Sequence, residues 1–374
     1  MIRIGYLIDT IACDTEGTQK QLLETIKRLD RRFFQPHLIC LRTSDWMLSN
    51  KLPCPYSVLE YKGFIKFGFI GVLKRLKKLI SKNKIDIMQT FFEDPIFVAF
   101  CGEVLSRSYP LLLSSRRDMG LGIENQPWYH SIFSVLKPFV NRRFSGIIAN
   151  CDQVRQYVID TEKTAIDKIK IIRNGVEIPK KSKKSPQIFN LHEADIWIGM
   201  VASLTPVKRH DILLHALVKI KSVLPALKIK VLFLGEGQER FKLEFMAKQL
   251  RVDDSICFIG AVPDVDSFLW DIDIGVLCSD REGLSNAVLE YMACGLPIVA
   301  TAVGGNIEIV SDKNGICVPP GNAEKLADAL VKLIENKPLR KKLGEASLSI
   351  IRQSYSWNRT MYDLESYYKS ILRA

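Results

Sequence analysis

Residues 272–301, IDIGVLCSDREGLSNAVLEYMACGLPIVAT, hold a strand, a loop, a helix and a second strand in succession. The apolar run 272–277 has the length and composition of a buried strand, and 298–301 reads as the next one. Residues 279–286 form the loop that enters the helix. Strand, helix and strand make up the unit of a parallel α/β sheet, and open sheets of that kind bind ligands outside the carboxyl edge, where this loop lies. Glu282 stands in the loop and Glu290 about two turns along the helix, so the two acids address different parts of one ligand. Gly283 permits close backbone approach. The amides of Leu284, Ser285 and Asn286 point out of a helix N-terminus in the manner that suits a phosphate. The same residues also fit a plain helix start, with Ser285 or Asn286 as the capping side chain and Glu282 in solvent.

The alternation continues on both sides of this segment. Upstream, strand patterns fall near 2–8, 37–41, 56–59, 85–89, 111–115, 146–149 and 169–172, with helical patterns between them such as 18–29 and 95–105. Prolines 179 and 186 bracket a lysine-rich run that reads as a solvated linker, 179–194. A second series follows, with strands at 197–201, 229–234 and 256–259 and helices at 208–222, 239–250 and beyond Asn322. The expected architecture is α/β, with Rossmann-like domains at 1–178 and 195–355. From Ser356 to the end, Trp357, Met361, Leu364, Tyr368 and Ile371 recur at helical spacing and predict a terminal helix, 356–374.

The signature from Glu282 to Glu290, with Met292 to Thr301 and Gly304-Gly305, resembles the donor-binding segment of glycosyltransferase family 4, retaining enzymes of the GT-B fold. That resemblance implies two Rossmann-like domains facing a central cleft and a C-terminal helix that crosses back to the first domain. It implies a nucleotide-sugar donor in the second domain and a saccharide or lipid-linked saccharide acceptor in the first. It places the transferred sugar on Glu282 and the nucleotide ribose on Glu290.

Transfer from a nucleotide diphosphate builds negative charge on the leaving phosphate, which cations or helix N-termini must neutralise. Residues 201–211, VASLTPVKRHD, are similar to the family segment that holds the diphosphate. Lys208 matches the family lysine, Ser203 stands where many members have arginine, and Arg209 is the candidate replacement, about 100° from Lys208 if both lie on a helix. Gly235-Glu236-Gly237 resembles the G-x-G turn of the nucleotide site, and Val262 falls where the family reads the base through backbone. In the first domain Glu16-Gly17-Thr18-Gln19 resembles a glycine-rich phosphate loop, with Glu16 in place of one glycine and Gly17 kept. Residues 114–120, SSRRDMG, resemble the acceptor segment, with Arg117 at a histidine position and Asp118 at the aspartate. There a carboxylate orients or deprotonates an acceptor hydroxyl, while Arg116 and Arg117 suit an acceptor phosphate; equally, the three form a local ion-pair set. The catalytic candidates are therefore Lys208, Glu282 and Asp118.

With 374 residues and 47% hydrophobic content the chain supports two cores. Nine cysteines without a C-x-x-C pair, and an N-terminus lacking a signal peptide's charged start, predict a reduced, cytoplasmic protein. The net charge of +12 favours anionic surroundings, but no zinc-finger spacing or aromatic RNA-binding signature accompanies it, so nucleic acid is not expected. Residues 62–84 combine phenylalanines and isoleucines with many lysines, which fits weak peripheral association with an anionic membrane, or simply a helix covering the sheet. His210 and His215 are five apart, and Asp264/Asp266 and Asp271/Asp273 are the D-x-D pairs; the latter more plausibly bounds a strand. No cofactor is expected, and catalysis is expected to be metal-independent. The competing readings are a nucleotide-sugar epimerase, a phosphorylase, or a sugar-nucleotide-binding protein without turnover.

Overall fold

In the computed structural model, which describes residues 1–15, 17–64, 66, 68–106, 109–120, 129–180 and 194–373, two sheets account for thirteen strands, and every pairing within them is parallel. The chain divides into one unit of Met1–Asn174 with Asn358–Ala374 and another of Gly175–Trp357.

The first unit runs β1 (Ile2–Ile8), α1 (Gly17–Arg28), β2 (Phe34–Cys40), α2 (Asp45–Ser49), β3 (Tyr56–Val58), α3 (Phe69–Asn83), β4 (Ile87–Phe91), α4 (Glu93–Val104), β5 (Leu111–Arg116), α5 (Tyr129–Arg143), β6 (Gly146–Ala149), α6 (Asp152–Glu162) and β7 (Ile169–Ile171). Its strand order, β3-β2-β1-β4-β5-β6-β7, reverses between β1 and β4. Val72, Leu76, Phe97 and Phe133 press α3, α4 and α5 onto one face of this sheet, over Leu7, Ile39, Met88 and Leu112. The apolar side of 62–84 is therefore largely core, as the helix-on-sheet reading had it; Ile65 and Phe67 lie outside the described residues.

The second unit runs β8 (Ile196–Val201), α7 (His210–Val223), β9 (Ile229–Leu234), α8 (Arg240–Gln249), β10 (Ile256–Gly260), α9 (Asp266–Leu269), β11 (Ile274–Leu277), α10 (Asn286–Ala293), β12 (Ile298–Thr301), α11 (Asn306–Ile309), β13 (Gly315–Val318), α12 (Ala323–Glu335) and α13 (Lys337–Ile350). The order β10-β9-β8-β11-β12-β13 reverses between β8 and β11. Asn322 and Asn336 start α12 and α13 by accepting from the amides three residues on, of Lys325 and Leu339.

A wide turn at 351–355 leads into α14 (Trp357–Ile371). Beyond its first residue α14 belongs to the first unit. Tyr368 reaches the Tyr6 hydroxyl at 3.1 Å, and Glu365 accepts from the Asp30 amide at 2.9 Å. The apolar stripe at 361, 364 and 368 is buried there, which is what its spacing called for.

Candidate active site

Both topological switch points put chain ends side by side at the carboxyl edge of a sheet, the place where open α/β sheets take ligands. In the second unit the loops after β8 and β11 meet there. Pro206 to Lys208 make one tight helical turn after β8, and Lys208 sends its Nζ to Glu282 Oε1 at 2.6 Å. Ser279 Oγ donates to the same oxygen at 2.6 Å. Glu282 is buried, and Ser279 is fixed in turn by Thr301, whose Oγ1 donates to the Ser279 carbonyl at 2.6 Å. Gly305 N donates to Gly283 O at 2.7 Å, so the exit of β12 clamps the loop from outside.

Arg209 does not share a helix with Lys208, which corrects the expected 100° offset: its φ of +53° is left-handed, and α7 begins only after it. This reversal turns its guanidinium onto Asp211 (Nε to Oδ1, 3.0 Å; Nη2 to Oδ2, 2.9 Å) and onto Asp280 (3.2 Å). The hydrogen bonds it donates to Asp211, with those to Asp280, hold the guanidinium above its usual range. Arg209 thus staples the β8 loop to the β11 loop, alongside the bond from Asp280 N to Val207 O at 2.9 Å. Glu290 is buried on α10 and is its fifth residue, one turn in rather than two, because the helix starts at Asn286. Ser285 caps it by accepting from Val288 N. Leu284 is buried beside Gly283.

Gly235 follows β9 with φ +152°, and a Cβ there would meet the Ala202 carbonyl carbon at 2.8 Å, so the G-x-G turn lets the chain cross the β8 loop. Leu204 N donates to Glu236 O at 2.9 Å across that crossing, while the Glu236 carboxylate faces Arg240. Val262 is half-buried just past β10. Asp273 bounds its strand, accepting from Trp197 N at 3.0 Å. Among the described residues no three His, Cys, Asp or Glu side chains converge as a metal-ligand set.

In the first unit a cavity of about 500 Å³ opens at the carboxyl ends of β1, β4 and β5. Asp118 lines it and accepts from Gly120 N at 3.0 Å; burial raises its carboxyl above the ordinary value. Arg117 donates to Asn174 Oδ1 at 2.7 Å and lies over Phe91, and burial lowers its guanidinium to about 10. Arg116 is buried and forks onto Glu162 (Nε, 3.2 Å; Nη2, 3.0 Å), with Asn141 and Ser114 as further partners. Gly17 opens α1 near this cavity, which Thr18 and Gln19 line, and Gln19 holds the β1 loop by accepting from Ala12 N at 2.6 Å. Glu16 lies outside the described residues.

A profile of the Glycosyl transferases group 1 matches residues 181–349, and one of Glycosyltransferase Family 4 matches residues 15–179. The chain belongs to glycosyltransferase family 4. The chain is 26% identical over 186 residues to N-acetyl-alpha-D-glucosaminyl L-malate synthase of Bacillus anthracis, covering 50% of this chain and 48% of that protein, so it spans about half the length of that relative. It is 21% identical to N-acetylgalactosamine-N,N'-diacetylbacillosaminyl-diphospho-undecaprenol 4-alpha-N-acetylgalactosaminyltransferase of Campylobacter jejuni, covering 91% of this chain and 92% of that one. The solved structure of Anabaena HepE in complex with UDP-glucose superimposes with a TM-score of 0.83 at 20% identity, over 99% of this chain and 100% of that one. At that identity the likeness shows the fold, the GT-B arrangement of two Rossmann-like domains.

Several side chains around the two candidate sites escape the motif reading. Tyr291 is buried at the second switch point, where its hydroxyl accepts from Val201 N at 2.6 Å and donates to Val276 O at 3.1 Å, tying the ends of β8 and β11. His210 is buried against Phe233, and burial, with Lys208 nearby, lowers it to about 4, which keeps the imidazole neutral. Asp9, Arg42 and Asp94 form a chain across the first-unit cavity, and His130 sits between Asp94 (3.0 Å) and Glu93 (2.8 Å). Phe92, between β4 and α4, holds φ +68°, a conformation that costs a non-glycine residue energy and gathers at functional sites. The signal for this group was present in the sequence: each of Asp9, Arg42, Glu93 and Asp94 follows closely on the end of an apolar strand.

Proposed function

We propose that this glycosyltransferase moves a sugar, with retention of anomeric configuration, from a nucleotide diphosphate to a saccharide or lipid-linked saccharide acceptor in cell-surface polysaccharide or lipopolysaccharide assembly. The observation that carries the donor half is the convergence of Lys208 Nζ and Ser279 Oγ on Glu282 Oε1 at the β8/β11 switch point. One oxygen of Glu282 is thereby oriented and the other is left for a hydroxyl of the transferred sugar. Lys208 stands where charge builds on the departing diphosphate, together with the amides before α10. Glu290, one turn along the same helix, takes the ribose. Arg209 acts through Asp280 and Asp211 as a positioning residue. Retention by front-face attack, assisted by the leaving phosphate, is the family expectation and needs no protein nucleophile.

The acceptor half rests on the first-unit cavity. Arg42, Arg116 and Lys137 each face a carboxylate there already, so the cavity offers sugar hydroxyls a mixed array of donors and acceptors rather than a row of unpaired cations for a phosphate. Asp118, with its raised carboxyl, is the residue to orient or deprotonate the attacking hydroxyl.

The test is a thermal-shift screen against UDP-, GDP- and ADP-sugars, then NMR of the product's anomeric centre. Calorimetry without heat from any nucleotide sugar defeats the donor assignment, and an inverted product defeats retention.

A further inference from the structure

α3, α4 and α5 lie side by side on one face of the first sheet, over a shared core. α5 has three sides. Phe133, Val140 and Asn141 face the core, and Tyr129, His130, Ser134 and Lys137 line the cavity. Ile132, Val135, Leu136 and Phe139, at i, i+3, i+4 and i+7, stand in solvent, Val135 with 79% of its surface exposed. Helices of globular domains turn such a stripe inward; here it points outward. The stripe does not end with α5. Phe139 meets Phe100 of α4 edge-on at 5.8 Å, and α4 finishes on exposed Val104 and, just beyond it, Leu105.

The neighbouring helix α3 carries charge of one sign. α3, in the same helix layer, exposes Lys74, Lys77, Lys78 and Lys82 and contains no acidic residue. Glu103, an acid on α4, is taken by Arg143 at 3.3 Å. A contiguous apolar patch next to a row of lysines matches an anionic bilayer surface: apolar side chains enter the boundary between headgroups and acyl chains, and lysines meet lipid phosphates. A second copy of the chain would instead bring an identical row of lysines.

We propose that this face of the first unit docks on anionic lipid, with α5 and the end of α4 inserted and α3 on the headgroups. The docking does not depend on the reaction. Its consequence does, and rests on the acceptor reading above: α5 carries the apolar stripe on one side and cavity-lining residues on another, so a lipid-linked acceptor would meet the cavity beside the bilayer that holds it.

Co-sedimentation of the full chain with phosphatidylcholine vesicles, with and without phosphatidylglycerol, tests the docking. The expected result is binding that needs phosphatidylglycerol and falls with salt. Val135→Glu with Phe139→Glu should lower partitioning about tenfold or more. Lys74→Gln with Lys77→Gln and Lys78→Gln should lower it about fivefold per lysine. Phe241→Glu with Phe245→Glu, an exposed aromatic pair on α8, should leave it unchanged. If the first pair fails to fold, Val135→Ser with Phe139→Ser replaces it. Wild-type indifference to phosphatidylglycerol, unaltered sedimentation of the stripe variant, or a dimer in light scattering that the stripe variant dissolves, each overturns the proposal. Calorimetry with a UDP-sugar separates the two readings: lost donor binding with vesicle binding intact removes the function proposed above and leaves this face standing.

Discussion

Gly304→Ala asks whether the Glu282 loop is held from behind by glycine. Gly304 has φ +48°, and a Cβ on it would lie 2.7 Å from the Glu282 carbonyl carbon and 3.2 Å from the Gly283 carbonyl oxygen, and closer still to the Glu282 oxygen. Backbone lies on both sides of this contact, so no side chain can rotate away. The left-handed conformation costs an alanine about 1 kcal/mol. Pushing the loop out strains the bond from Gly305 N to Gly283 O, a loss of about 1 kcal/mol. Overpacking adds roughly 1–3 kcal/mol, for a sum of about 3–5 kcal/mol. Gly295→Ala separates these contributions: its φ is +71°, but its nearest neighbour, the Gly344 carbonyl oxygen, is 3.7 Å from the built Cβ, so only the conformational cost of about 1 kcal/mol applies. Urea unfolding of both variants measures the difference. In the folded fraction of Gly304→Ala, Glu282 shifts relative to Lys208, and a displacement near 1 Å lowers turnover about a hundredfold. Equal destabilisation of the two variants, or full turnover with Gly304→Ala, refutes the reasoning.

Glu290→Ala should weaken donor binding in calorimetry, whereas Lys208→Ala should mainly lower kcat, by about 10²–10³; unchanged donor affinity in the first contradicts the ribose assignment. Arg116→Met removes the guanidinium that forks onto buried Glu162, leaving only the Lys137 ammonium at 3.7 Å as a cation, and should cost about 3–5 kcal/mol in urea unfolding. Burial pushes the Glu162 carboxyl up, but Arg116, with Lys137 and Asn141, brings it below its usual value. Its contribution to stability is thus present above the unfolded carboxyl's pKa and is lost as pH falls through the folded one. Glu162→Gln should flatten that acid loss, and an unchanged acid limb counts against it. Asp118, raised by burial, should give kcat/KM a limb that rises with pH above the ordinary carboxylate range near 4. A limb that persists in Asp118→Asn assigns it to another group. EDTA should leave turnover intact; loss of activity restored by magnesium would overturn metal independence.

The fold was largely legible because burial on both faces writes parallel strands as continuous apolar runs. Where the boundaries moved, polar residues inside a strand were the cause. β4 runs to Phe91 and not 89, since Gln89 and Thr90 are buried and satisfied, Gln89 Nε2 by Ser115 Oγ at 2.6 Å and Thr90 by the Leu113 carbonyl. β11 starts at Ile274 because the carboxylate of Asp273 is occupied at the start of β8, by Trp197 N. β13, four residues long, has no periodicity to detect.

The placement of the candidate site residues was legible where they sit within one short motif and obscure where it depends on backbone direction. Glu282, Gly283, Ser285 and Glu290 occupy thirty residues that state their own strand, loop and helix. Lys208 and Arg209 are neighbours whose difference is invisible in their letters: a single left-handed residue sends one side chain to Glu282 and the other to Asp211 and Asp280. Arg116 and Arg117 part as well, because Arg116 is the last residue of β5 and Arg117 the first beyond it. Arg116 goes down to Glu162 and Arg117 toward Asn174. In each pair one arginine, Arg209 or Arg116, ties two segments together and so fixes the chain on which its neighbour stands. Arg209→Lys should accordingly lower kcat without weakening ribose binding, because it loosens the loop that carries Lys208 and leaves Glu290 on its helix; loss of donor affinity instead would return Arg209 to the diphosphate.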